Sequence, residues 1–508
     1  MTSTSPNAAL QIQPERGVGW IVLGSSLYNV LTRLKLSPQT YPNLELSYSA
    51  SEPISLPVIV SLPRNGLRLR FDGPDQRLRL IEILDFSLGS FVYKNTELVR
   101  RNKSSDTGPL EETTPGGPSF KHVYNRLFGP TYAGEYIPPE TGKSTGTYVL
   151  SYPGLAFTFP IQHKSWSDKV DFVSILSSTA TGPATSMAVF MGSSWTEART
   201  TLYTRPPTYP RLPSLGGKSA ETIADEVEEV KVLGAGKLEL ARRSSPPLAI
   251  TLHETTPQDL VAELGPPDAI YRKNDRRITI HAIGNPAHRK TPSMSPGLDP
   301  HGVDTDQSSI QSYTEDSDLE QDTEGTGRPE SSKECFYNYF NHGFDILISS
   351  PGVRSPSFPG TVALEPATSS GAQLVATKIF LHGNIPGSFS FNRHRRSRWT
   401  IHTGERDLTS EMSFSEISSV LKQVWYKDEH EDKQMQRGMV LNRGWAESPE
   451  SSIDLLGDLE EDSPTQDQAD DPGTAEAIKG MSTTQLFGFP GLLFEVLKND
   501  MISCLTVF

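Results

Sequence analysis

Apolar and polar positions alternate with period two at four places along the chain, and a glycine leads each stretch. The four read Gly66-Leu67-Arg68-Leu69-Arg70-Phe71, Gly154-Leu155-Ala156-Phe157-Thr158-Phe159, Gly343-Phe344-Asp345-Ile346-Leu347-Ile348 and Gly491-Leu492-Leu493-Phe494-Glu495-Val496. Period-two alternation predicts a strand with one buried face. A glycine directly after Asn65, Pro153, His342 or Pro490 predicts a tight hairpin turn. A second strand-like run precedes each glycine: Val58-Ile59-Val60, Tyr148-Val149-Leu150, Phe336 to Phe340, and Leu486-Phe487. Each copy is therefore predicted to contain a β-hairpin.

A short helical pattern lies upstream of every hairpin. Leu27, Val30, Leu31 and Leu34 recur at helical spacing, as do Phe120, Val123, Tyr124 and Leu127. Leu260, Val261 and Leu264 form the third set, with Thr256 as N-cap and Pro257 in the first turn. Phe414, Ile417, Val420 and Leu421 form the fourth. A further strand follows the hairpin in units one, three and four, at Leu80–Ile83, Lys378–Leu381 and Ile502–Leu505. The predicted fold class is α+β: four repeated units in two halves, each unit a helix on a small antiparallel sheet. The predicted boundaries are 12–165 for the N-terminal half and 248–508 for the C-terminal half. Region 166–247 connects them, with a strand at Met187–Met191 and a proline-rich loop. Strand-like bridges are expected at Phe91-Val92-Tyr93 and Phe389-Ser390-Phe391. Such units resemble the helix-on-sheet modules of outer-membrane assembly lipoproteins and β-lactamase-inhibitory proteins, a likeness of fold that says nothing about function.

Charge changes this picture in one respect. Residues 299–330 and 447–476 together carry −20 against −14 for the whole chain, so the remainder is about +6. The acidity belongs to insertions, predicted disordered at 284–333 and 446–480, and not to the folded part. Loop entropy grows slowly with length, so insertions at strand connections are tolerated. The two cysteines, Cys335 and Cys504, sit in apolar runs and read as small buried hydrophobes, which excludes a disulfide framework and fits a reducing compartment. The first residues lack a basic segment followed by an apolar one, and no apolar run reaches membrane-spanning length. A cytoplasmic protein without a transmembrane segment is expected.

Catalytic patterns fail one by one. Neither H-E-x-x-H nor C-x-x-C occurs. Gly234-Ala235-Gly236-Lys237-Leu238 lacks the first glycine of a phosphate loop, and Leu238 stands where a magnesium-binding hydroxyl belongs. It reads as a strand-connecting turn. The histidines are scattered. His281 and His288, or His382 and His394, could meet in space, but the scatter argues against a metal site. No enzyme, cofactor or metal is expected. One basic run stands out, Arg393-His394-Arg395-Arg396-Ser397-Arg398. Guanidinium groups suit bidentate anion contacts, so Arg393, Arg395, Arg396 and Arg398 are candidates for an anion- or partner-binding edge. The bland alternative is an edge strand guarded by charge. Nucleic acid is not expected, since no aromatic stacking platform accompanies the run. Phe414-Ser415-Glu416-Ile417 matches a modifier-binding peptide pattern, but both apolar residues belong to the buried stripe of the fourth helix. Ile453-Asp454-Leu455-Leu456 is an apolar island in the second acidic insertion, of a kind that can dock on a partner.

Cys335 to Leu347 (CFYNYFNHGFDIL) and Lys378 to Asn392 (KIFLHGNIPGSFSFN) resemble signatures of the phagosome assembly factor family. Gly66 to Ile83 and Phe489 to Val507 are similar as well. The resemblance implies a non-catalytic regulator or scaffold of autophagy. It implies a β-propeller partner and recruitment to the phagophore assembly site; peripheral contact with anionic, phosphoinositide-bearing membrane is what the basic run 393–398 leads one to expect. The alternative it carries is a trafficking adaptor at the trans-Golgi network, in transport to the plasma membrane. No catalytic residues come with the resemblance.

Overall fold

The computed structural model describes residues 9–99, 116–167, 169–206, 209–213, 221–223, 225–272, 334–350, 373–404, 406–425, 438–442 and 483–508. The predicted acidic insertions 284–333 and 446–480, and the Ile453–Leu456 island, lie outside the described residues. Each of the four unit helices starts on a Ser or Thr. The hydroxyls of Ser26, Ser119, Thr256 and Ser413 accept from the backbone N–H three residues on, at 3.2, 3.4, 3.3 and 3.3 Å. That satisfies a donor the first helical turn leaves open. The helices run Leu27–Lys35, Phe120–His122 continued by a π-helical turn Val123–Leu127, Pro257–Leu264, and Phe414–Trp425.

After each helix comes a four-stranded antiparallel meander. Unit one uses Glu45–Ser47, Val58–Leu62, Leu67–Phe71 and Leu78–Ile83. Unit two uses Glu135–Ile137, Thr145–Tyr152, Leu155–Gln162 and Ser186–Val189. Unit three uses Ala269–Arg272, Cys335–Tyr339, Phe344–Ser349 and Val375–His382, and unit four Met439–Asn442, Thr483–Phe489, Leu492–Val496 and Ile502–Val507. The four leading glycines all have positive φ, at 65, 75, 88 and 75°. Phe71, Phe159 and Ile348 are fully buried and Val496 is nearly so, all on the helix side of their sheets. A β-bulge recurs at one register in units one, three and four, where Phe71, Ile348 and Val496 meet the last strand. A shared bulge adds to the case for repetition, because it bends the strand at the same place each time.

The units join in pairs through their last strands. Ser186–Val189 pairs with Leu78–Ile83 to close one eight-stranded sheet, and Val375–His382 pairs with Ile502–Val507 to close the other. Each half adds a five-stranded sheet whose central pair is parallel: Leu10–Gln13 on Phe91–Tyr93, and Val227–Gly234 on Trp399–His402. Apolar side chains between sheet and helices form one main core per half.

Three expectations change. The strand near Met187 is the missing last strand of unit two, so it belongs to the N-terminal sheet and not to a connecting region. The strands Val227–Gly234, Lys237–Arg242 and Leu248–Thr251 belong to the C-terminal half, which therefore begins before residue 248. The bridge after unit three is Trp399–His402, whereas Phe389–Phe391 forms turns. The Gly234-Ala235-Gly236 stretch is a strand-connecting turn with all three residues at positive φ. Phe414 and Ile417 are buried in the core under their helix. No helix among the described residues is long and apolar enough to cross a membrane.

Candidate functional site

Residues 383–398 connect the last strand of unit three to the small sheet, and they fold over the outer face of the C-terminal sheet. Two asparagines shape this strap. Asn384 and Asn392 sit at φ 47 and 58°, and the Asn384 side-chain oxygen accepts from the Asn392 backbone N–H at 2.7 Å. Asparagine tolerates the left-handed region better than most residues. Gly343 lets the strap lie close: an added Cβ there would stand 2.5 Å from the Arg395 carbonyl oxygen.

The strap reaches into the N-terminal half. Phe391 joins the core cluster of that half. Ile385 packs with Leu497 of unit four and with Ile54 of unit one. Asn384 and Gln76 exchange hydrogen bonds at 2.8 Å each, both buried. The loop carrying Gln76 lies between the third and fourth strands of unit one, Leu67–Phe71 and Leu78–Ile83, so the turn of one half grips the strap of the other.

The predicted basic run lies in this seam. Arg395 and Arg396 are buried. Arg396 donates to the Pro74, Gly383 and Ser410 carbonyls at 2.8, 2.8 and 3.1 Å. Arg395 donates to Glu226 at 2.7 Å and to the Val227 carbonyl. Glu226 also meets Arg77 and, at 3.2 Å, Arg243. Burial alone would raise the Glu226 carboxyl, but Arg395 and Arg77 beside it outweigh that and hold it at about 2. Arg398 is exposed and shared between Asp75 and Glu411, at 2.9 Å to each. Arg393 is exposed and lies over the Phe389 ring, 4.5 Å from its centroid. The expected anion-binding edge is thus corrected. The segment is not an edge strand, and two of its four arginines are spent inside the protein, where backbone carbonyls and a carboxylate compensate them.

Beside the seam the strap delivers His394 to Asp345. Asp345 sits on the outer face of its strand and His382 at the end of the next. His382 Nε2 lies 2.9 Å from one Asp345 oxygen, and His394 Nε2 lies 2.8 Å from the other. The imidazoles stack with centroids 3.8 Å apart. The Asn338 amide donates to Asp345 at 2.9 Å. Burial would raise the Asp345 carboxyl, yet the hydrogen bonds from both histidines hold it well below the usual carboxylate range. The pairing of His382 with His394, raised from sequence only as a spatial coincidence, is realised, and Asp345 is the residue that reading missed. Its signal was an acid inside a strand otherwise apolar on both faces.

A family model described as phagosome assembly factor 1 matches residues 17–296 and 369–508, which hold the strap, Gln76, Glu226, His382 and His394 but not Asp345. The chain belongs to the phagosome assembly factor 1 family. The PHAF1 protein At3g51130 of Arabidopsis thaliana is 24% identical over 527 residues, covering 98% of this chain and 92% of the relative. The PHAF1 protein CG7083 of Drosophila melanogaster is 21% identical over 529 residues, covering 98% and 94%. The PHAF1 protein T01G9.2 of Caenorhabditis elegans is 28% identical over 139 residues, covering 27% and 28%. No solved structure matches the chain. The family match omits residues 297–368, which include the strands Cys335–Tyr339 and Phe344–Ser349 of unit three.

Proposed function

We propose that this protein is a non-catalytic scaffold that supports phagosome assembly in autophagy, acting with a β-propeller partner at the phagophore assembly site. The family places it in phagosome assembly in general terms. The observation that carries the scaffold reading is the use of buried charge. Arg395, Arg396, Glu226, Gln76 and Asn384 spend their polar groups on joining the two halves. A small cavity of about 70 Å³ at the seam is lined by Arg77, Arg395, Arg396 and Arg398, and its arginines pair with Glu226, Asp75 and Glu411 across the seam. The cavity of about 400 Å³ between the small sheet and unit four is lined by Val232, Ile401, Trp425, Leu492 and Phe508, with His402 at its side. That lining is apolar and suits packing more than chemistry. Contact with anionic membrane narrows to Arg393 and Arg398, the exposed members of the run, and each base contributes about 1 kcal/mol at most at a lipid surface.

The test is proximity labelling with the full chain in fed and starved cells. Starvation-dependent enrichment of a propeller protein and autophagy factors is expected. Enrichment of coat and tether proteins in both conditions would replace this reading with that of a trans-Golgi trafficking adaptor.

A further inference from the structure

We propose that Asp345, His382 and His394 form a binding site for a zinc-class divalent cation, which clamps the strap to the outer face of the C-terminal sheet. Three side chains of metal-ligating type, from two strands and a loop, bring one donor atom each to within 4.8 Å of one another. Two imidazoles and a carboxylate are the ligand set of a three-residue zinc site that keeps a fourth position for water. Ligands about 2.0–2.1 Å from one tetrahedral ion lie roughly 3.3 Å apart. The two Nε2-to-carboxylate distances are 2.9 and 2.8 Å, so an ion enters with an opening of about half an ångström. Imidazole nitrogen favours zinc or cobalt over magnesium or calcium, which take oxygen ligands.

The surroundings fit. Asn338 donates to Asp345 at 2.9 Å, and Cys504 stands opposite His382 on the neighbouring strand. Such outer contacts fix the orientation of metal ligands. Phe340 packs edge-on against His394, with centroids 4.9 Å apart, and shields that side. His382 keeps partial exposure, with 18% of its side chain open, which supplies a path for the ion and its water. Coordination takes each imidazole as the neutral tautomer with its proton on Nδ1, so the Nε2 protons that now face the carboxylate are displaced. The site is independent of the scaffold reading: it rests on these side chains alone.

The experiment is zinc titration of the full chain after chelator treatment and dialysis, followed by calorimetry. One site tighter than about 10 µM is expected. Asp345→Asn and His394→Gln are each expected to weaken it at least about 100-fold, and Asn338→Ala about 10-fold. His402→Gln, which alters the separate His402–Asp407 pair, is the control and should leave this site unchanged. X-ray absorption of the zinc-loaded wild-type chain needs no variant to fold. It should show two imidazole rings and oxygen near 2.0 Å with no sulfur near 2.3 Å. Binding weaker than about 10 µM, unchanged affinity in folded Asp345→Asn, or a sulfur shell would each overturn the proposal.

Discussion

In unit one the outward residue after the leading glycine and leucine is Arg68, and across the sheet it faces Glu82. In unit three the equivalent residue is Asp345, and it faces Phe380. Arg68 and Arg70 both grip Glu82, through contacts of 2.7 and 2.7 Å, on a face that stays partly open to solvent. Asp345 instead lies under a strap, bonded to two histidines. The difference traces to one connection. Residues 84–90 link unit one to its small sheet by a short path, whereas residues 383–398 take a path more than twice as long. The extra length covers the outer face, and it carries the residues that bind the other half. A duplicated fold can thus become one body by lengthening a single loop in one copy.

The strongest test of that view removes the anchor of the strap. Phe391 is buried in the core of the half it does not belong to. Phe391→Ala should cost about 3–5 kcal/mol, the usual range for deleting a buried aromatic side chain. It should also split calorimetric unfolding into two transitions, one per half. A single transition with under about 1 kcal/mol lost in urea melts would mean that the strap does not couple the halves. Phe494→Ala, fully buried within the C-terminal core, should cost a similar 3–5 kcal/mol without uncoupling them, so the pair separates lost packing from lost coupling.

Next in size is the seam's carboxylate. Glu226→Gln leaves Arg77 and Arg395 without their counter-charge in a buried place, which should cost about 3–5 kcal/mol. Acid should act on the same residue. The folded Glu226 titrates at about 2, below its ordinary value of 4.5. Stability from this group is therefore complete above about 4.5 and is lost as pH falls toward 2. His342 accepts from the Val227 backbone N–H at 3.3 Å, and burial, helped by Arg395, lowers it to about 4. It must charge on unfolding between about 6.5 and 4, so it too makes stability fall as pH falls, in a higher window. Urea midpoints from pH 7 to 3 should decline in wild type, and the decline below pH 4.5 should be shallower in Glu226→Gln. Parallel curves would show that the seam's charge does not couple to folding.

These two regions also differ in how far the sequence discloses them. The four glycine-led strands were legible because period-two alternation and a turn glycine act within a few residues, where pattern reports physics directly. The strap was not. Asn384 answers Gln76 and Arg396 answers Pro74, more than 300 residues away. Four arginines in six residues read as surface, because arginine is seldom fully buried. Burial here depends on carbonyls supplied by a distant loop. Phe389 and Phe391 directly before that run, and His394 within it, were the available hint that one side of it is covered. The strand at Ser186–Val189 was legible as a strand, but its place as the last strand of unit two was missed for a related reason. Its partner Leu78–Ile83 belongs to the preceding unit, so no local pattern announces the pairing.

The smallest effect belongs to the open face of unit one. Arg68 makes two contacts to Glu82, 2.7 and 2.9 Å, but about a third of its side chain is solvent-exposed. Burial pushes Glu82 up, and the hydrogen bonds from Arg68 and Arg70 outweigh it, so its carboxyl lies below the ordinary range. Solvent screens such pairs, which typically contribute about 0.2–1 kcal/mol. Arg70 remains on Glu82 when Arg68 is removed, so the carboxylate is not stranded. Arg68→Ala should therefore cost about 0.5 kcal/mol, and added salt should shrink the difference further. The same unfolding melts, run at low and high ionic strength, measure this. A loss above about 2 kcal/mol would show that the open face of unit one is as deeply committed as the strapped face of unit three, and the contrast between the halves would no longer rest on the length of the strap.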